Sequence, residues 1–187
     1  MKSLLIKSLT MLLISSAFTA CQKEKQEDLV PEQSTTRDLG NGIIETSQRG
    51  PNGNTVIFSN WIQKTDPDWM QFGPSKWTTE IVTASLTDAV KNNGLILVYL
   101  NFGGYVAQFP CHSLGENLVL DYLLETGKIT ARYTYGGGSV AGEILNIKLR
   151  YILIPSSAFS GAGNGRIMAP VDYSDYNAVC EYYGIAK

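Results

Sequence analysis

The residues closest to a nucleophile with its base are Cys111 and His112, which is the single histidine of the sequence. A cysteine–histidine dyad needs its two side chains within hydrogen-bonding distance. Because adjacent residues of a strand point to opposite faces, the pair predicts a polar strand end rather than a dyad. One histidine and two separated cysteines also match no metal-ligand spacing, so no metal or other cofactor is expected.

Paired carboxylates are the second arrangement that could do chemistry, because glycoside hydrolases use two of them. Asp121 and Glu125 lie four residues apart in a predicted strand and could share a face, while Glu80 and Glu143 lie on other predicted strands. A chain with 17 acidic residues also offers such pairs as solvated strand edges. We therefore expect a protein that is not an enzyme, with a carboxylate hydrolase as an alternative.

Aromatic residues indicate a binding surface rather than a catalytic site. Trp69 lies in a polar, proline-containing loop together with Met70 and Phe72, whereas Trp61 and Trp77 lie in predicted strands and are expected in the core. An exposed aromatic platform can hold a sugar ring or a partner surface. We predict Trp69, Met70 and Phe72 as a ligand-binding group, with core packing as the alternative.

Cys21 follows a leader of the kind that directs export. Lys2 and Lys7 make its start positive, residues 9–17 form a short apolar run, and small residues precede the cysteine. Such a run is too short to be a final membrane anchor. Its end resembles a bacterial lipobox, in which the cysteine thiol is diacylated before cleavage. We predict residues 1–20 as a lipoprotein signal peptide and Cys21 as the lipid anchor in the outer membrane.

The rest of the sequence indicates a tether and one folded domain. The net charge is −2 and no basic run follows the leader, which predicts no nucleic-acid partner. Residues 21–54 are mostly polar, with glycine and proline, and are predicted to be flexible. Their charged start is consistent with a surface-export signal or with a plain periplasmic spacer. The globular domain is predicted over 55–187.

Two cysteines remain outside the leader, Cys111 and Cys180. In an oxidising compartment an even number of cysteines suggests a disulfide. The alternative is two buried, unbonded thiols.

Apolar patterns predict a mainly β domain. Strands are expected at 55–62, 77–84, 95–102, 118–125, 128–135 and 143–154. The run 95–102 is continuously apolar, as in a central strand buried on both faces. Segments 118–125 and 128–135 predict a hairpin closed by Thr126-Gly127. Together the six predicted strands indicate a single antiparallel β-sandwich.

Two helices are predicted beside the strands. A short internal helix is expected over 86–93, capped by Thr87 or Asp88 and ended by a left-handed Gly94. In the C-terminal segment Tyr176, Val179, Cys180 and Tyr183 form one apolar stripe, which predicts a helix packed on the sheet. Asp172 is predicted to cap this helix and Gly184 to end it.

Four segments are similar to a globular domain of unknown activity in Bacteroidetes lipoproteins. They are VIFSNW at 56–61, NGLILVY at 93–99, RYILIP at 150–155 and DYNAVCEYYGI at 175–185. In some of those lipoproteins the domain follows a collagen-like Gly-X-Y stalk, and GPNGNT at 50–55 resembles the last two triplets of one. The resemblance implies a lipid-anchored envelope protein with one β-rich domain, and it implies no reaction.

The function expected from the sequence is therefore that of a non-enzymatic binding module. It would be held at the outer membrane by the lipid on Cys21, on the periplasmic or the cell-surface side, and would bind a glycan or an envelope protein. An envelope structural or assembly protein and the carboxylate hydrolase remain as alternatives.

Overall fold

Two antiparallel β-sheets pack face to face, and a helix covers the other face of the larger sheet. The computed structural model describes residues 34–50, 53–113, 117–136, 146–156 and 171–187. Among the described residues the larger sheet has seven strands and the smaller has five. The fold class predicted from the sequence, a mainly β sandwich-like domain with an internal and a C-terminal helix, is confirmed.

The elements follow one another as twelve strands, two α-helices and a 3₁₀ turn among the described residues. They are β1 Thr35–Gly40, β2 Ile43–Arg49, β3 Thr55–Ser59, β4 Ile62–Lys64, the 3₁₀ turn Asp66–Asp68, β5 Met70–Gln71, β6 Lys76–Val82, α1 Asp88–Asn93, β7 Leu95–Phe102, β8 Tyr105–Gln108, β9 Cys111–Ser113, β10 Leu118–Glu125, β11 Lys128–Tyr135, β12 Ile147–Ile154 and α2 Tyr176–Tyr183. The larger sheet has the strand order β1-β2-β3-β12-β7-β8, with β4 also paired to β12, and the smaller has the order β5-β6-β11-β10-β9.

The central strand β7 is buried on both faces, as its continuous apolar run predicts. Ile96, Val98 and Leu100 point into the core between the two sheets. Leu97 and Tyr99 point the other way, into the cluster beneath α2. Strand β12, which pairs with β7, also has side chains in both of these clusters.

The predicted hairpin is confirmed with its register. Strands β10 and β11 pair along their whole length, from Leu118 opposite Tyr135 to Glu125 opposite Lys128. The connecting turn includes Gly127 at φ 80°, in the left-handed region that glycine adopts without steric cost.

The predicted tether is wrong over its second half. Strands β1 and β2 form a hairpin that pairs with β3 at one side of the larger sheet. Ile43 is buried in the main core, and the Gln48 side chain donates a 2.6 Å hydrogen bond to the carbonyl of Tyr183. The folded domain therefore begins by Thr35 rather than at residue 55. Residues 1–33, with the leader, Cys21 and the first part of the tether, lie outside the described residues.

Both helices end at the predicted glycines, although their local geometry differs from prediction. Asp175, not Asp172, caps α2, because its carboxylate accepts from the backbone N–H groups of Asn177 and Ala178. Gly184 ends α2 in the predicted left-handed conformation, at φ 68°. Thr87 caps α1 as predicted, but Gly94 is extended. There an added Cβ would lie 2.7 and 2.8 Å from two backbone carbonyl oxygens, so close packing rather than a left-handed turn requires glycine.

Candidate functional site

The predicted ligand-binding group is divided between the core and the surface. Trp69 is only 7% exposed and meets the ring of Tyr133 edge-on at 6.4 Å, so its prediction as a binding platform is wrong. Met70 and Phe72 are 72% and 73% exposed. The turn at Asp66–Asp68, where the Asp68 carboxylate accepts from the Thr65 N–H and hydroxyl, leads Trp69 into the core.

Met70 and Phe72 lie on the side of the smaller sheet that points away from the larger sheet, which we call the outer face. Strand pairing aligns Met70, Thr78, Arg132 and Asp121 in one row across β5, β6, β11 and β10. The Phe72 N–H donates to the Lys76 carbonyl, which prolongs the pairing of β5 with β6. The outer face carries large apolar side chains that water reaches, namely Met70, Phe72, Val82 and Leu123.

Ion pairs occupy the middle of the outer face. Arg132 binds Asp121 through two parallel hydrogen bonds of 2.6 and 2.7 Å, from Nε and Nη2 to the two carboxylate oxygens. Lys128 lies 2.9 Å from Glu80 and 2.7 Å from Glu125, and hydrogen bonds to these carboxylates raise the lysine pKa. Such exposed pairs add little stability, but they fix where charge is presented.

A hollow of about 470 Å³ opens on the outer face. Its lining includes Phe72, Leu123 and the Asp121–Arg132 pair, together with threonines of β6 and β11. The arrangement combines exposed apolar contact area with oriented charges, and these are the features by which a surface binds a partner.

The carboxylates considered for hydrolysis are held by cations where the structure describes them. Asp121 is paired with Arg132, and Glu80 and Glu125 share Lys128. Glu143 lies outside the described residues.

Cys111 and His112 point to different sides of β9, as the sequence predicts. Cys111 is opposite Leu120, which faces the core, and His112 is opposite Val119 on the outer face. Burial raises the pKa of the Cys111 thiol, which favours the protonated, weakly nucleophilic form.

The disulfide considered from the sequence is not formed. Cys111 and Cys180 are both free thiols. Cys111 packs against the core between the sheets, while Cys180 belongs to the cluster beneath α2 on the opposite side of the larger sheet.

Within the described residues, no three histidine, cysteine or acidic side chains come together as a metal site would require. Across those same segments, no helix is both long and apolar enough to cross a membrane.

A buried acidic group was missed by sequence reasoning. Glu45 of β2 is only 2% exposed and accepts four hydrogen bonds from side chains. The available signal was its spacing from Ile43, because residues two apart in a strand share a face. The carboxylate has all its partners within the protein, so its position indicates a structural role rather than a binding site.

Comparison of the chain with protein-family models, with curated proteins and with solved structures finds no match.

Proposed function

We propose that this chain is an exported, lipid-anchored module of the cell envelope that binds a protein partner on the outer face of its smaller sheet. The observation that carries the proposal is the exposure of Met70, Phe72 and Leu123 beside an ordered Asp121–Arg132 pair. The leader that ends at Cys21, and the resemblance to Bacteroidetes lipoproteins, support the location at the outer membrane.

The composition of the outer face favours a protein over other partners. Aromatic residues, methionine and arginine are enriched in protein interfaces. Met70 and Phe72 supply apolar area, and the bidentate Asp121–Arg132 pair supplies a charge pattern that can select and orient a partner. With Trp69 buried, the outer face lacks the wide indole platform that the sequence predicted for a sugar ring.

A glycan is the second candidate, and one observation favours it. The hollow places an exposed Phe72 ring in the same lining as the Asp121–Arg132 pair and several threonine side chains. A ring that stacks on a sugar, next to groups that hydrogen-bond its hydroxyls, is a workable site for a short polysaccharide.

Site-specific crosslinking tests the proposal in living cells. A photoreactive phenylalanine analogue replaces Phe72 in the full chain, and we expect one discrete protein adduct because the ring lies on the contact surface. The same analogue at Glu181, which is exposed on α2, is the matched control and should give no such adduct. Leu123→Asp should abolish the Phe72 adduct by placing a charge in the contact.

Equal adducts from the two positions, or an adduct that survives Leu123→Asp, would contradict a partner on the outer face. If no protein adduct forms, the purified chain and its Phe72→Ser variant are compared on an envelope-glycan array. Binding that Phe72→Ser removes would then favour the glycan. A blank array after a blank crosslink would reject the binding function and leave the structural or assembly alternative.

Lipid anchoring is tested separately at Cys21. We expect the wild-type chain to incorporate labelled palmitate and to sediment with the outer membrane, because several acyl chains on one residue give stable attachment. Cys21→Ser should lose the label and move to the soluble fraction, whereas Cys111→Ser should keep both properties. Palmitate incorporation that persists in Cys21→Ser would refute the anchor.

A further inference from the structure

A second cavity lies between the two sheets, near the turn that joins β7 to β8. Its volume is about 510 Å³. Leu100 and Ala107 line it from the larger sheet, and Cys111, Leu118 and Leu120 line it from the smaller. Tyr105, which is highly exposed, also contributes to the lining and marks where the cavity meets water. The cavity lies on the inner side of the smaller sheet, whereas the partner proposed above binds the outer face, so the two inferences are independent.

The chemistry of the lining selects an apolar ligand. The described residues of the lining include leucine, isoleucine, alanine and aromatic side chains, and none of them is an aspartate, glutamate, lysine or arginine. Burial raises the pKa of the Cys111 thiol, in keeping with surroundings that disfavour charge. The hydroxyl of the exposed Tyr105 is a polar group of the lining at the opening. A ligand would therefore bury an uncharged body and leave its polar end at the opening.

The volume of the cavity further restricts the kind of ligand that can bind. A cavity of this volume falls within the range of sites for small molecules, which bury most of their ligand in mainly apolar surroundings. Apolar cavities that are lined by leucine and aromatic rings stay dry and accept hydrocarbon. A folded partner or a second copy of the chain could not enter such a space.

We propose that this cavity binds the alkyl chain of a small amphiphile, with the chain between the sheets and the polar end beside Tyr105. Ala107 is the residue through which the site can be blocked. It is a small side chain on β8 that lines the cavity, so a larger group at this position would take the volume that the ligand needs.

The first test uses dansyl-undecanoic acid as a fluorescent probe of the purified full chain. We expect saturable binding to the wild type and binding about tenfold weaker, or lost, in Ala107→Trp. Glu181→Trp introduces the same indole at an exposed position of α2 and should bind the probe like the wild type. Absence of saturable binding, or equal binding by Ala107→Trp, would overturn the proposal.

The second test needs no cavity variant, so it decides the matter even where Ala107→Trp fails to fold. Undecanoic acid should slow alkylation of Cys111 by iodoacetamide several-fold in the wild-type chain, measured on the Cys111 peptide by mass spectrometry. Cys180 is buried on the side of α2 that packs against the larger sheet, and it provides an internal reference whose slow reaction should not change. An unchanged Cys111 rate at saturating acid would overturn the proposal. Competition by undecanoic acid and by a lysophospholipid then distinguishes a free acid from a membrane lipid as the source of the chain.

Discussion

Replacing Glu45 by glutamine should lower the free energy of unfolding by about 2–4 kcal/mol near neutral pH. One oxygen of the buried carboxylate accepts from Arg37 at 2.7 Å and Ser85 at 2.6 Å, and the other from Thr83 at 2.7 Å and Tyr151 at 2.8 Å. Glutamine keeps one acceptor oxygen and turns the other site into a donor. Two of the four partners would then lose their acceptor.

Most of this effect should come from the buried hydroxyl partners. The Arg37 side chain is more than half exposed, so its pairing with Glu45 is weakened by solvent. Tyr151 is fully buried on the central strand β12, and Thr83 is buried after β6. The carboxylate thus joins the β1–β2 hairpin to both sheets. Urea denaturation of wild type and Glu45→Gln measures the loss, and the exposed Glu181→Gln should change stability by less than about 0.5 kcal/mol.

The pH dependence of the stability of Glu45→Gln provides an independent check on the role of the Glu45 carboxylate. Burial raises the pKa of Glu45, but the hydrogen bonds from Ser85, Thr83, Tyr151 and Arg37 together outweigh it, so the pKa lies below its ordinary value of 4.5. A depressed pKa in the folded state stabilises the protein above the unfolded pKa, and this contribution is lost as pH falls through the folded value. The stability difference between wild type and Glu45→Gln should therefore shrink from neutral pH towards about pH 3. A stability difference that stays constant over this range would contradict a lowered Glu45 pKa in the folded protein.

Glu45 also illustrates what the sequence could not predict. Apolar periodicity predicted β7, the β10–β11 hairpin and the stripe of α2, because each of these elements buries a regular hydrophobic pattern of its own. The segment 35–49 is rich in polar residues and was predicted to be flexible. It folds because Ile43 reaches the core and because Glu45 finds partners on distant strands, and such partners are determined by tertiary structure.

In the candidate site, too, the sequence predicted which residues lie together in the chain but not how the fold orients them. The loop that carries Trp69, Met70 and Phe72 was recognised, but the direction of each side chain depends on the turn before β5 and on its pairing with β6. Likewise, the sequence could place Asp121 and Glu125 on one strand face. It could not show that Arg132 and Lys128 of the neighbouring strand would neutralise them, because that follows from the register of the hairpin.

Arg150 is the second buried charge, and its removal should also have a large effect. Alternation along β12 places it on the opposite face from Leu149 and Tyr151. It does point away from the core between the sheets, but α2 and the chain after it cover that side, and Arg150 is only 3% exposed. Its Nε donates to the Ser59 carbonyl at 2.8 Å and its Nη1 to the Ala186 carbonyl at 2.7 Å.

Aromatic rings complete the surroundings of this cation. The guanidinium carbon lies 5.3 Å from the ring centre of Phe58 and 5.8 Å from those of Trp61 and Tyr176. Nη1 also donates to the Tyr176 hydroxyl at the start of α2. Cation–π attraction and charge-assisted hydrogen bonds thus offset the cost of burying the charge. Through these contacts Arg150 holds the C-terminal segment on the larger sheet.

Arg150→Ala should therefore lower the free energy of unfolding by about 3–5 kcal/mol, because it opens a cavity and leaves the carbonyls of Ser59, which is buried, and of Ala186 without their donor. Arg150→Met fills most of the volume and carries no charge, so it should cost less than alanine while still losing the hydrogen bonds. Lys148→Ala is the matched control on the same strand face, where the side chain is exposed, and should stay within about 0.5 kcal/mol of wild type.

Hydrogen exchange distinguishes the anchoring of the C-terminal segment from a general loss of stability. If Arg150 holds this segment, amides of 176–187 should exchange faster in Arg150→Met than in the wild type, while those of the β10–β11 hairpin change less. Equal acceleration in both regions would mean that the arginine acts on the whole domain. An Arg150→Met variant as stable as the wild type would show that its hydrogen bonds add nothing beyond packing, and that α2 is held by its apolar stripe alone.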